Sequence, residues 1–172
     1  GFSVTSNTET VSGFGLEASL MAQPIDGLSL QASFGWNDLT YDNDVLQLGF
    51  VLFGEDERMN FSPEYTAAIG ADYVFPLRDS LQGRIALNGR YNSQQIRQEL
   101  AGPTRVKLES DDIVNVGLSV GIESNDKWSA KIFIDNLTNE NGAVGPGFVS
   151  FFIGEMSRLR PRTVGLQVSY SY

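Results

Sequence analysis

The residues of this chain that could do chemistry are acids, arginines, lysines and aromatics, because histidine and cysteine are both absent. Imidazole or thiolate metal ligation, cysteine nucleophiles and Ser-His-Asp triads cannot be built without them. The expectation is therefore not an enzyme, and no cofactor or metal ion is expected. Arg84 and Arg90 share the parity of one segment and could contact an anionic ligand, since a guanidinium binds carboxylate or phosphate in a two-pronged way. Their ordinary alternative is ion pairing with acids such as Glu17 and Asp72. The clusters Asp42/Asp44, Glu55-Asp56-Glu57 and Asp111-Asp112 could collect divalent cations, although solvated loops are the default for such runs. Two stretches are unusually apolar: Val45 to Phe53, with Phe50 and Phe53, and Phe148 to Ile153, with Phe151 and Phe152. Such rings could hold a small ligand or stack on a sugar. Loops packing on one another would use the same residues.

The elements that position these groups are strands, and the end of the chain states their pattern most clearly. From Thr163 to Tyr172, Val164, Leu166, Val168, Tyr170 and Tyr172 share one face while Thr163, Gly165, Gln167, Ser169 and Ser171 share the other. A two-residue period with an apolar side and a small polar side is a β-strand between two solvents. The same alternation recurs upstream in six more segments, which start near Gly13, Leu28, Tyr65, Arg84, Val114 and Trp128. Within these segments the charges Glu17, Asp72, Arg84, Arg90 and Lys131 all fall on the small, polar face. An Arg or Lys facing mid-bilayer lipid costs about 2–4 kcal/mol in a barrel, and this falls away toward the strand ends. Asp38 and Arg162 break the parity, and both lie at strand ends.

Connections alternate between short (23 to 27, 76 to 81, 124 to 127) and long (roughly 42 to 62, 95 to 112 and 137 to 160). Outer-membrane barrels pair short periplasmic turns with longer extracellular loops. Aromatics fit two girdles: Tyr73, Phe75, Trp128, Tyr170 and Tyr172 toward the short turns, and Phe14, Trp36, Tyr65 and Tyr91 toward the long loops. The fold class expected is all-β, an antiparallel up-and-down transmembrane β-barrel segment of about seven strands. A soluble β-sandwich alternates in the same way, but it seldom needs three connections of this length.

With 12 basic and 21 acidic residues the net charge is −9, which argues against a nucleic-acid partner. No apolar run reaches the roughly 18 residues that a membrane-spanning helix needs, and barrels are in any case dilute in apolar residues. The chain opens at Gly1 with neither Met nor a signal segment, so a processed protein or the tail of a longer one is expected.

In order and spacing, several segments resemble the C-terminal barrel portion of TonB-dependent outer-membrane receptors. They are Gly13-Phe14-Gly15-Leu16-Glu17-Ala18, then Asp26-Gly27-Leu28-Ser29-Leu30-Gln31-Ala32-Ser33, then Asn136-Leu137-Thr138-Asn139, and the ending Arg160-Pro161-Arg162-Thr163-Val164-Gly165-Leu166 through Tyr172. The resemblance implies that residues 1–172 are the last third of a 22-stranded barrel filled by an N-terminal plug, with the plug and the earlier strands outside this chain. It implies bacterial outer-membrane localisation and active uptake of a scarce nutrient, with a ferric siderophore complex as the leading ligand. A passive pore or a small eight-stranded structural barrel is the alternative. The implied partners are outer-membrane lipid, the barrel assembly machinery, TonB acting through the plug, and a siderophore or other small ligand. Arg84 and Arg90 would then pair with acidic plug residues if not with the ligand. Val164, Leu166, Val168, Tyr170 and Tyr172 would carry the C-terminal insertion signal, and Arg84, Arg90, Phe50, Phe53, Phe151 and Phe152 would be ligand-facing.

Overall fold

Alternating segments of this kind can satisfy their backbone only by pairing side by side, and the computed structural model, which describes residues 10–125, 127–147 and 156–171, pairs them in chain order. The described chain is all-β, with eleven strands and no helix. Seven strands form one antiparallel sheet: β1 (Val11–Ile25), β2 (Leu28–Tyr41), β5 (Tyr65–Arg78), β6 (Leu81–Asn92), β9 (Ile113–Ser124), β10 (Trp128–Asp135) and β11 (Thr163–Tyr170). Each pairs with the next in sequence, an up-and-down meander. Among the described residues the sheet is open, with β1 and β11 at its two edges.

Register fixes which residues share a face, because a slip of one residue would invert it. Leu20 faces Ala32, Ala32 faces Ile69 and Ile69 faces Gly89, so the apolar set is continuous from strand to strand. The opposite face is equally consistent: Arg84 faces Gly121, Gly121 faces Lys131 and Lys131 faces Gln167. All seven strands expected from the alternation are therefore present with the expected parity. Large and small side chains alternate across the polar face, and long ones lie over glycines on the neighbouring strand. A Cβ on Gly70 would meet Gln31, one on Gly117 would meet Asn88, and one on Gly165 would collide with the Phe133 ring.

At one end the turns are tight, and each is tied to a neighbour. The β1–β2 turn is Asp26-Gly27, with Gly27 at φ +79°, and its carbonyl accepts the Val74 N–H at 2.8 Å. Strand β5 continues to Arg78, so the expected 76–81 turn contracts to Asp79-Ser80. Pro76 does not end the strand. It sits where the ladder shifts register, as Pro24 does in β1, and a missing N–H is tolerated at such irregularities. The Ser80 carbonyl accepts from Asn125 N at 2.9 Å, joining two of the turns.

At the other end the long connections are folded, not irregular. The 42–64 connection contains the hairpin β3 (Val45–Gln47) and β4 (Phe50–Phe53), and the 93–112 connection contains β7 (Ile96–Ala101) and β8 (Thr104–Glu109). Residues 142–144 and 157–159 of the last connection also lie antiparallel, bridged by Val144 N to Ser157 O at 2.8 Å and Leu159 N to Gly142 O at 3.0 Å. The buried apolar residues are Tyr41, Val45, Ile113 and Ala143, all in this loop layer or where strands enter it.

Candidate functional site

Three surfaces could carry function: the apolar face, the polar face and the loop layer. On the apolar face almost nothing is covered. Phe14 is 81% exposed and Leu166 69%, and Leu20, Ile69, Val120, Ile132 and Tyr170 are exposed as well. Leaving these side chains in water forgoes about 1.5–3 kcal/mol each, and contiguous patches of this extent mark interaction surfaces. Aromatics pair near both ends of this face. Trp36 lies opposite Tyr65, and Trp128 lies opposite Tyr170. Tyr73 and Phe75 stack at 5.2 Å, and Phe34 and Tyr65 lie 6.3 Å apart.

On the polar face, Arg84 is the centre of an ion cluster. Its Nε reaches both Asp72 oxygens at 3.1 and 2.9 Å, Nη2 lies 2.9 Å from Asp72 Oδ2, and Nη1 donates to Glu123 Oε1 at 3.2 Å. Of the alternatives open in the sequence, pairing with Asp72 is the one realised. Because Arg84 and Glu123 are each 49% exposed, the cluster contributes at most about 1 kcal/mol of stability. Two carboxylates already occupy this guanidinium, which leaves it poorly placed to take a third anion. Arg90 is different. It is exposed, flanked across the strands by Ala68 and Asn115, and has no ion pair among the described residues. Lys131, beside Ser119 and Gln167 in a shallow polar concavity, is likewise unpaired among them.

The loop layer uses most of its acids as fasteners. Asp112 accepts from Gln94 N at 2.7 Å, closing the second connection on itself, and Asp111 accepts from Ala143 N at 2.7 Å, joining the second connection to the third. Glu57 accepts from Gly54 N at 2.6 Å and from Arg105 at 2.7 Å, joining the first connection to β8. No group of three or more acids converges on a possible metal position among the described residues. In β8 the Lys107 ammonium, 2.8 Å from Glu109, holds that carboxyl below its ordinary range.

The two described aromatics expected to face a ligand separate. Phe53 stacks on buried Tyr41 with centroids 4.5 Å apart and planes 2° apart, so its ring is engaged in packing. Phe50 is 45% exposed, near the tip of the β3–β4 hairpin. Phe151, Phe152 and Tyr172 lie outside the described residues. Of the expected insertion signal, Val164, Leu166, Val168 and Tyr170 form one exposed row on edge strand β11.

Two residues assigned no site role from the sequence turn out to be hubs. Arg58 donates to the Asn37 carbonyl at 2.6 Å, to Asn37 Oδ1 at 3.0 Å and to the Ser62 carbonyl at 3.3 Å, and it pairs with Asp38 at 3.3 Å. The parity-breaking Asp38 therefore has a local partner beyond the apolar band. Asn136, in a left-handed conformation at φ +51°, donates to the carbonyls of Glu140 and Arg160 at 2.8 and 2.7 Å and accepts from Glu140 N at 2.8 Å. Asn139 then accepts from Arg162 N at 3.1 Å. The Asn136-Leu137-Thr138-Asn139 segment is thus a corner that brings the start of β11 back to the end of β10. An Asn three residues before an Asn at a strand end was the available signal, since Asn readily adopts left-handed backbone and bonds its own neighbours.

Comparison with protein-family models, curated proteins and solved structures found no match for this chain.

Proposed function

We propose that the chain is a run of seven consecutive strands of a bacterial outer-membrane β-barrel, and that this barrel belongs to a TonB-dependent receptor importing a scarce nutrient, with a ferric siderophore as the leading ligand. The observation that carries the membrane reading is the apolar face. It is continuous across seven strands, uncharged in its middle, and left uncovered by the described residues. Lipid is the solvent that makes such a face favourable, and a closed barrel satisfies the backbone of every strand in it. Further strands of the same barrel would partner the open edges of β1 and β11. The receptor reading rests on the resemblance of the quoted segments, and Arg90, Lys131 and Phe50 are exposed residues that a ligand or a plug could meet.

The membrane reading is tested by fractionating cells that produce the full protein, and recovery in the soluble fraction would sink it. The receptor reading is tested by growth on single defined iron sources with and without TonB. An uncovered polar face would also suit a passive, water-filled pore, and uptake that persists without TonB would favour that second reading.

A further inference from the structure

The β3–β4 hairpin closes through a two-residue loop, Leu48-Gly49, because Gln47 pairs with Phe50. Both loop residues have positive φ, +53° and +82°. A two-residue hairpin of that hand favours Asn, Asp or Gly at its first position, and a leucine there is strained by its own Cβ. The same leucine is 91% exposed. One residue therefore carries two unfavourable features, and no packing within the described chain offsets them. Backbone strain of this kind clusters at functional sites such as ligand clamps. Leu46 at 59% and its cross-strand partner Val51 are exposed on one face of the hairpin beside Leu48, while Phe50, which pairs with Gln47, is exposed on the other. Leu48, Leu46 and Val51 together form a convex apolar knob on a base fixed by the Tyr41–Phe53 stack. The base carries Asp42, Asp44, Glu55 and Asp56; Asp42 accepts from Ser12 Oγ and Asp44 from Glu55 N, and none of the four is in an ion pair among the described residues.

We propose that this hairpin is a docking knob for a basic, amphipathic polypeptide segment of another protein. The apolar side chains of that segment close over Leu48, Leu46 and Val51, while its Lys and Arg side chains meet the carboxylates at the base. Three alternatives fit less well. A small molecule is held by a concave site, and this surface is convex. An anionic lipid surface is repelled by the four carboxylates and by a net charge of −9. A second copy would set two acidic bases against each other, a like-charge juxtaposition that disfavours pairing. The inference does not depend on the membrane reading, because the hairpin stands among the long connections in either case.

The test uses the full protein in nanodiscs of zwitterionic lipid, with a labelled peptide of alternating leucine and lysine as the probe. A matched peptide with glutamate in place of lysine is the control, and anisotropy is read above that of empty discs. The lysine peptide should bind and weaken as salt rises. Leu48→Asn should lower its affinity about tenfold, the loss expected when one leucine-sized side chain is no longer taken out of water. Thermal stability should be unchanged or raised, because Asn-Gly suits this turn. Leu48→Gly, which also accepts the backbone, should show the same loss. The triple change Asp44→Asn, Glu55→Gln, Asp56→Asn should flatten the salt dependence. Equal binding of Leu48→Asn, equal binding of the glutamate peptide, or no binding above empty discs would each overturn the proposal. So would a Leu48-dependent affinity for anionic vesicles in place of the peptide. If the protein stays in solution without lipid, the membrane reading fails and the same titration in buffer still decides the docking reading.

Discussion

The seven-stranded sheet and the loop layer are made from one chain and solve opposite problems. The sheet buries almost no side chain. Its apolar face is bare, and its polar face is small and wet. The loop layer, folded from the three long connections, holds the buried apolar residues Tyr41, Val45, Ile113 and Ala143 or receives them from strand ends, and it holds Ser62, Gln98, Ser110 and Asn136 among its buried polar ones. Where a lipid solvent is proposed to take the apolar side chains, a strand needs no internal core. Where water surrounds everything, the chain must build a core of its own, and it does so largely with hydrogen bonds to backbone.

The comparison is broken most sharply by one charge moved across the sheet. Leu166→Arg on the apolar face should cost about 2–4 kcal/mol if lipid is its solvent, and folded protein in the membrane fraction should fall. Gln167→Arg, one residue along and facing the other way, should leave folded protein unchanged. Equal effects would mean that the two faces do not meet different solvents. In the loop layer, Asn136→Ala removes a buried, multiply bonded side chain and should cost about 2–3 kcal/mol, read as a shift in the urea midpoint. Asn136→Gly keeps the left-handed backbone accessible and should recover only the smaller, conformational part.

On the polar face, Arg84→Gln should cost no more than about 1 kcal/mol, since water already screens this half-exposed cluster. A larger loss would show that the face is drier than the sheet alone makes it. The smallest effect concerns pH. The Glu109 carboxyl is held below its ordinary value of 4.5 by Lys107, so its charged form favours the folded hairpin. That contribution is present above 4.5 and is lost as pH falls below it toward the lowered folded value. Hydrogen exchange in β7 and β8 should quicken slightly there in the native protein and less so in Lys107→Met.

Most of the sheet was legible because each of its strands meets two environments that differ along its whole length. Val114, Val116, Leu118 and Val120 against Asn115, Gly117 and Ser119 admit one assignment of faces only. The hairpins in the long connections were not legible for the converse reason. Val45, Leu46, Phe50, Val51 and Phe53 are apolar without alternation, because β3 and β4 twist through a register shift and pack one end inward while exposing the other. Phe53 and Phe50 read alike in the sequence, yet one is fixed against Tyr41 and the other stands free. The Arg84–Asp72 pair was foreseeable from parity and neighbouring strands. Glu123 was not, because its place beside Arg84 depends on which residue of β9 meets Gln82. The Arg58 hub depends on how residues 56–59 fold back along β2, which no local pattern encodes.

The glycines on the polar face bear on the bore of any barrel this sheet would help to close. Gly70 lies beneath Gln31, Gly117 beneath Asn88 and Gly165 beneath Phe133, so each long side chain lies flat along the sheet in space that its neighbour leaves vacant. Clearance at each point is thus set by two residues on different strands. Alanine at Gly165 would lift the Phe133 ring toward the axis and narrow the passage without adding a charge or lengthening a loop. Over many generations such partners would be expected to change together, so that a bulky residue appears on one strand only where its neighbour stays small.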